Sequence, residues 1–218
     1  MKRREFSLQL AGAAGMAALA GLGLPGSAVA QGAAPVEGRD YTRLKTPVPM
    51  AKTGKIEVIE FFWYGCPHCF AFEPAIEPWA SKLPADVHFR RVPVAFDALK
   101  EVHQQIFYTW EALGLVDAMH TKTFNRFHVD RKPINRETDM LAFAQEQGLD
   151  AAKVKQAWES FGVQTKMRQA TQLTQDYQVD GVPEIGVQGR FTTGPSMGGP
   201  VTALATTESL INVVRKGG

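Results

Sequence analysis

The chain has 218 residues, 44% of them apolar and 21% charged, with a formal net charge of +2. That length and apolar share support one good core with at most one extra lobe. Two cysteines are too few for a disulfide scaffold, and the small net charge gives no support to nucleic-acid binding.

The chain opens on a targeting pattern. Lys2-Arg3-Arg4 is a basic start, Leu8 to Leu24 is an Ala/Gly/Leu stretch, and Ala28-Val29-Ala30 is a small-x-small cleavage signal. Residues 1–30 therefore read as a cleavable signal peptide, with the mature chain beginning at Gln31. A membrane anchor would need about twenty strongly apolar residues, and glycines and Pro25 interrupt this stretch. Arg3-Arg4-Glu5-Phe6 also resembles a twin-arginine signal, but Ser7 departs from that pattern, so Sec and twin-arginine export both stay open. Cleavage takes away three basic residues and one acid, which leaves the mature chain close to neutral. An exported protein with one cysteine pair works where disulfides persist.

Residues 31–54 are rich in Gly, Ala and Pro and form a lead-in, with Tyr41 to Leu44 as a possible edge strand. The run Ile56 to Phe62 is short, aromatic and β-branched, as a buried strand requires. A mostly apolar helix follows from about Cys66 to Lys82, with Pro67 in its first turn and Pro74 and Pro78 bending it near Glu73. Val87 to Val94 is a second strand, parallel to the first through a right-handed crossover. Leu99, Val102, Ile106, Trp110 and Leu113 then recur at helical spacing, and Gly114 stops that helix. Further helices are expected at about Val116 to Arg126, Glu137 to Gln147, Ala151 to Phe161 and Thr165 to Tyr177. Glu184 to Val187 and Arg190 to Thr193 are strands joined by the two-residue turn Gln188-Gly189, and a last helix runs from Val201 or Thr206 to Val214.

The chemistry sits at Cys66-Pro67-His68-Cys69, which holds both cysteines. This spacing fits a redox dithiol, half of a metal site, or an accident of composition. A structural zinc site would need two more ligands, and His88, His103, His120 and His128 form no pair at short spacing. The strand-to-helix context favours the dithiol. Cys66 is placed to cap a helix, where free N–H groups and the dipole favour a thiolate, and Cys69 lies one turn on and less exposed. His68 between them adds a cation or polarised N–H that tunes the same sulfur. Stabilising that thiolate stabilises the reduced protein, so the disulfide becomes an oxidant.

Glu60-Phe61-Phe62, then Cys66-Pro67-His68-Cys69, then Phe72-Glu73, resemble the active-site segment of the DsbA family of periplasmic disulfide-forming oxidases. Gly181-Val182-Pro183 resembles that family's loop bearing a cis-proline. The resemblance runs from about Lys55 to the C-terminus. It implies an α/β fold, a thioredoxin fold interrupted by an inserted all-helical domain. Residues 55–97 and 178–218 would be the thioredoxin-like domain and 98–177 the insertion. It also implies the strongly acidic and oxidising character of the family.

By the same resemblance Glu60 is the acid beside the buried cysteine. A carboxylate in a buried strand must be paired or have a raised pKa; the alternative is that Glu60 faces a solvated rim. Glu73 and Arg91 are weaker members of that charge network, and ordinary surface charge is the readier account of them. A cis Val182–Pro183 bond would let the backbone at Val182 pair with a bound peptide. Trp63, Tyr64 and Phe70 flank the cysteines, either lining an apolar groove beside Cys66 or packing in the core.

The resulting expectation is a periplasmic dithiol oxidase. Catalysis rests on Cys66 and Cys69, redox tuning on Pro67, His68 and Glu60, and substrate binding on Val182 and Pro183. Exported cysteine-containing proteins are the substrates, and a membrane quinone reductase of the DsbB type reoxidises the enzyme. No cofactor, metal or nucleic acid is expected, and the protein is expected to be a monomer. Two alternatives use the same fold: a reductase or isomerase of lower potential, and a non-catalytic peptide-binding chaperone.

Overall fold

Edge strand β1 is reduced to Thr42–Arg43, shorter than the expected Tyr41 to Leu44. In the computed structural model residues 34–51 and 53–217 are described; the signal segment and the start at Gln31 lie outside them. Strand β2 (Ile56–Phe62) follows, buried over its last five residues. Helix α1 (Pro67–Ala80) buries Cys69, Phe72 and Ile76 and runs unbroken through Pro74 and Pro78. Both prolines are on its exposed side, where water can satisfy the carbonyls they leave unpaired. Strand β3 (Val87–Pro93) completes the unit and lies parallel to β2.

Five helices come next: α2 (Ala98–Ala112), α3 (Val116–His128), α4 (Glu137–Glu146), α5 (Ala151–Trp158) and α6 (Phe161–Asp176). Two details differ from the sequence expectation. Helix α5 ends at Trp158 and α6 begins at Phe161, not Thr165, because the Ser160 hydroxyl accepts from the Val163 N–H at 3.2 Å and caps a new helix. Leu99 is 43% exposed, so the apolar face of α2 begins at Val102.

Strands β4 (Glu184–Val187) and β5 (Phe191–Thr193) form the hairpin, and helix α7 (Pro200–Arg215) closes the described chain. The hairpin turn has Gln188 at φ 50° and Gly189 at φ 64°, the left-handed pair that a two-residue turn between twisted strands needs. The sheet order is β1-β5-β4-β2-β3, with β2 parallel to β3 and every other pairing antiparallel. This is a thioredoxin fold with a helical insertion between β3 and β4.

The two sheet faces have separate cores. Val58, Ile185 and Val187 meet Phe72, Ile76, Leu210 and Ile211 from α1 and α7. Ile59, Phe61 and Phe62 meet Ile106, Phe107, Trp110 and Phe124, so the insertion shares its core with the sheet instead of standing apart as a lobe. Among the described residues no helix is long and apolar enough to cross a membrane.

Candidate functional site: a dithiol at a helix start

The chain leaves β2 at Phe62 and reaches α1 through a tight turn in which the Cys66 N–H donates to the Trp63 carbonyl at 2.9 Å. Gly65 is needed there, since a Cβ would sit 2.4 Å from the Trp63 ring. Cys66 is the N-cap of α1, with extended backbone at φ −84° and ψ 117°, and Pro67 is the first helical residue. Proline has no N–H, so the donors left at this helix start belong to His68 and the residues after it.

The two sulfurs are unequal. Cys66 is 8% exposed and Cys69 is fully buried, and both are free thiols. A hydrogen bond from the Cys69 thiol, the N–H groups of Cys69 and His68, and the charge of His68 bring Cys66 down to about 6 against the pull of burial. Burial drives the Cys69 thiol far above its ordinary value, and the neighbouring Cys66 sulfur and, once ionised, the Glu60 carboxylate push it the same way. Such an arrangement holds one charge between two sulfurs and places it on Cys66.

Across from the dithiol the Val182–Pro183 bond is cis, as the resemblance implies, and the Cys66 thiol reaches the Val182 carbonyl at 3.4 Å. The β4 ladder begins only at Glu184, so Val182 stands outside it. A cavity of about 730 Å³ opens here, lined by His68, Val182, Pro183, Glu184, Tyr177 and Thr192 among others. The three aromatic residues near the cysteines do not line it. Tyr64 is 1% exposed and belongs to the core, Phe70 stacks on His128 at 4.8 Å, and Trp63 stacks on His103 and donates to its Nδ1 at 2.6 Å.

Beneath the dithiol Glu60 is completely buried, which settles against the solvated rim. Register explains its partner: Glu60 lies opposite Arg91 on β3, and Arg91 Nε donates to Glu60 Oε2 at 3.0 Å. Arg91 also reaches Glu73 at 3.4 Å and Glu77 at 2.7 Å. One cation shared by three carboxylates cannot repay the full desolvation of Glu60, so its pKa is raised while Arg91 stays protonated. Glu60 Oε1 has no hydrogen-bond partner, the place where a carboxyl proton would sit. Glu73 and Arg91 are thus network members and not ordinary surface charge, with side chains only 11% exposed.

Three residues around the site carry little or no signal in the sequence. His120 is buried against Glu73 and Tyr64, His103 is buried under Trp63, and Glu184 enters the cavity directly after Pro183. Only the last had a local signal, its position next to the proline of the loop. Among the described residues no group of three or more His, Cys, Asp or Glu is placed to hold a metal ion.

A pair of thiols one helical turn apart, one acidic and one held neutral, can open and close a disulfide with a partner's sulfur. On a thioredoxin fold that chemistry defines a thiol:disulfide oxidoreductase. Comparison with known proteins narrows the class. The family model described as DSBA-like thioredoxin domain matches residues 57–198, and the chain belongs to that family. The thiol:disulfide interchange protein DsbA of Pseudomonas aeruginosa is 43% identical over 180 residues, covering 82% of this chain and 85% of that protein. The protein of the same name from Azotobacter vinelandii is 46% identical, with 82% and 84% covered. The crystal structure of Pseudomonas aeruginosa DsbA matches with a TM-score of 0.79 at 41% identity, over 83% of this chain and 94% of that one. Oxidoreductase DsbA from Xylella fastidiosa matches at 0.78 with 25% identity, over 84% and 98%.

Proposed function

We propose that this oxidoreductase works as a dithiol oxidase, giving the Cys66–Cys69 disulfide to newly exported proteins in the periplasm. A substrate thiolate attacks the Cys66 sulfur, the bond to Cys69 breaks, and Cys69 leaves and takes up a proton. A second substrate thiolate then attacks the substrate sulfur of the mixed disulfide and expels Cys66 as a thiolate. The substrate is oxidised by two electrons and the enzyme is reduced by two. The observation that carries this reading is the contrast between Cys66, brought down to about 6, and Cys69, pushed up. An acidic Cys66 is a good leaving group and makes the reduced state the comfortable one.

In this reading His68 lends Cys66 positive charge, and Pro67 shapes the helix start. Glu60, kept protonated by burial, serves the departing Cys69. Val182 and the cis Pro183 offer backbone to the substrate beside the reacting sulfur. Residues 55–97 with 178–218 form the dithiol-bearing domain and 98–177 the helical insertion. The enzyme acts as a monomer without a bound cofactor, and a membrane quinone reductase of the DsbB type reoxidises it.

Equilibration with glutathione buffers of graded ratio tests the direction. The oxidase reading predicts a fully reduced protein until the buffer is strongly oxidising. A disulfide that survives in a reducing buffer identifies a reductase instead. Cys66→Ala abolishes the activity of an oxidase and spares that of a peptide-binding chaperone.

A further inference from the structure

Beyond the dithiol, one line of hydrogen-bonded groups runs from the helical insertion to the strand under Cys69. The Tyr64 hydroxyl lies 2.9 Å from His120 Nδ1, and His120 Nε2 lies 3.3 Å from Glu73 Oε1. Glu73 Oε2 then meets Arg91 at 3.4 Å, and Arg91 meets Glu60 at 3.0 Å. His120 is 4% exposed and is enclosed by the rings of Phe62, Phe107 and Phe124.

The chemistry of the partners fixes the histidine. His120 and Arg91 together hold Glu73 below the usual carboxylate range in spite of its burial, so it accepts and does not donate. Nε2 of His120 must therefore carry the hydrogen. Burial keeps the ring neutral, which leaves Nδ1 to accept from the Tyr64 hydroxyl. Both ring nitrogens are satisfied in that one tautomer. The charged and titratable groups facing the ring are Tyr64 from the turn after β2, Glu73 and Glu77 from α1, and Arg91 from β3.

Arg91 is a limited resource among its three carboxylates. The Glu77 side chain is 62% exposed and water can replace its cation, so the competition is between Glu73 and Glu60. Every donor that Glu73 finds elsewhere leaves more of the Arg91 charge for Glu60. His120 is that donor.

We propose that His120 is a positioning residue for the redox centre: its N–H to Glu73 keeps Arg91 on Glu60 and so sets the pH at which Glu60 gives up its proton beside Cys69. This rests on the role given to Glu60 above. His120 touches neither sulfur and acts through Glu73 and Arg91.

The test is the reduction potential of Cys66–Cys69 followed against pH in glutathione buffers, in the full protein and in three variants. Ionisation of Glu60 gives an inflection in that curve, and Glu60→Gln removes it. His120→Leu, which takes away the donor, moves the inflection to higher pH by roughly one unit. His120→Gln, whose side-chain amide can donate to Glu73, returns it toward the wild-type position. A purely structural His120 would lower the melting temperature of the leucine variant and leave the inflection in place, which overturns the proposal. Equal shifts in the leucine and glutamine variants overturn it as well, because they assign the effect to the imidazole and not to its donor. An inflection that persists in Glu60→Gln overturns the role of Glu60 itself, and that of His120 with it.

Discussion

Glu60 and Arg91 occupy directly paired positions on neighbouring parallel strands, and their side chains meet at 3.0 Å with Glu60 fully buried and Arg91 only 11% exposed. Strand register thus decides where the Arg91 cation stands. Removing it leaves two carboxyls in a poorly solvated site. Arg91→Met is expected to cost about 3 kcal/mol at neutral pH, measured by urea denaturation. Without the cation the folded-state pKa of Glu60, already raised by burial, climbs further, and Glu73 loses one of the two partners that hold it down. The variant is then most stable below the unfolded carboxylate range and loses ground as pH rises, so the gap to wild type narrows in acid.

Glu184 sits half-buried in the cavity beside Pro183, and burial, aided by Asp180 and opposed by Thr192, pushes its pKa up to about 7. A folded-state value above the unfolded one near 4.3 gives stability that is complete below the unfolded value and is lost as pH rises through about 7. Glu184→Gln removes that dependence. Denaturant melts should show the variant more stable than wild type at about pH 8, by up to about 3 kcal/mol, with the advantage gone at about pH 4.

Gly189 holds the hairpin at φ 64°, and a Cβ there would lie 2.2 Å from the Val48 carbonyl oxygen. The same residue donates its N–H to the Tyr177 hydroxyl and accepts from the Val48 N–H, both at 2.8 Å. Gly189→Ala meets a backbone atom and a left-handed backbone together. It should lose at least about 2 kcal/mol, visible as a lower thermal midpoint.

The leading cause of Cys66 acidity is the hydrogen bond from the Cys69 thiol. Cys69→Ala removes that donor and keeps the helix N–H groups. The Cys66 pKa should rise from about 6 by roughly one unit and still fall short of a free thiol. Alkylation rates measured across pH in the variant and in the reduced wild type make the comparison.

Much of this was legible in the sequence because the signals were local. The β-branched run into Cys66, Pro67 at the helix start and the Gln188-Gly189 turn each state their geometry within a few residues. The α5–α6 boundary was misplaced because Phe161 resembles a core residue yet is 79% exposed, while the informative residue was Ser160. Arg91 and Glu73 passed for surface charge because they meet Glu60 only once β3 and α1 are set against β2. His120 carried no mark at all, since its partners lie on α1 and in the turn after β2, far along the chain.

The central claim is that the start of α1 makes Cys66 a stable thiolate while Cys69 stays a thiol. The direct measurement is the pH dependence of Cys66 alkylation in the reduced protein, with the modified residue identified by mass. A midpoint near 6, with Cys69 unmodified throughout, is the predicted result. A midpoint near that of free cysteine, about 8.5, would contradict it.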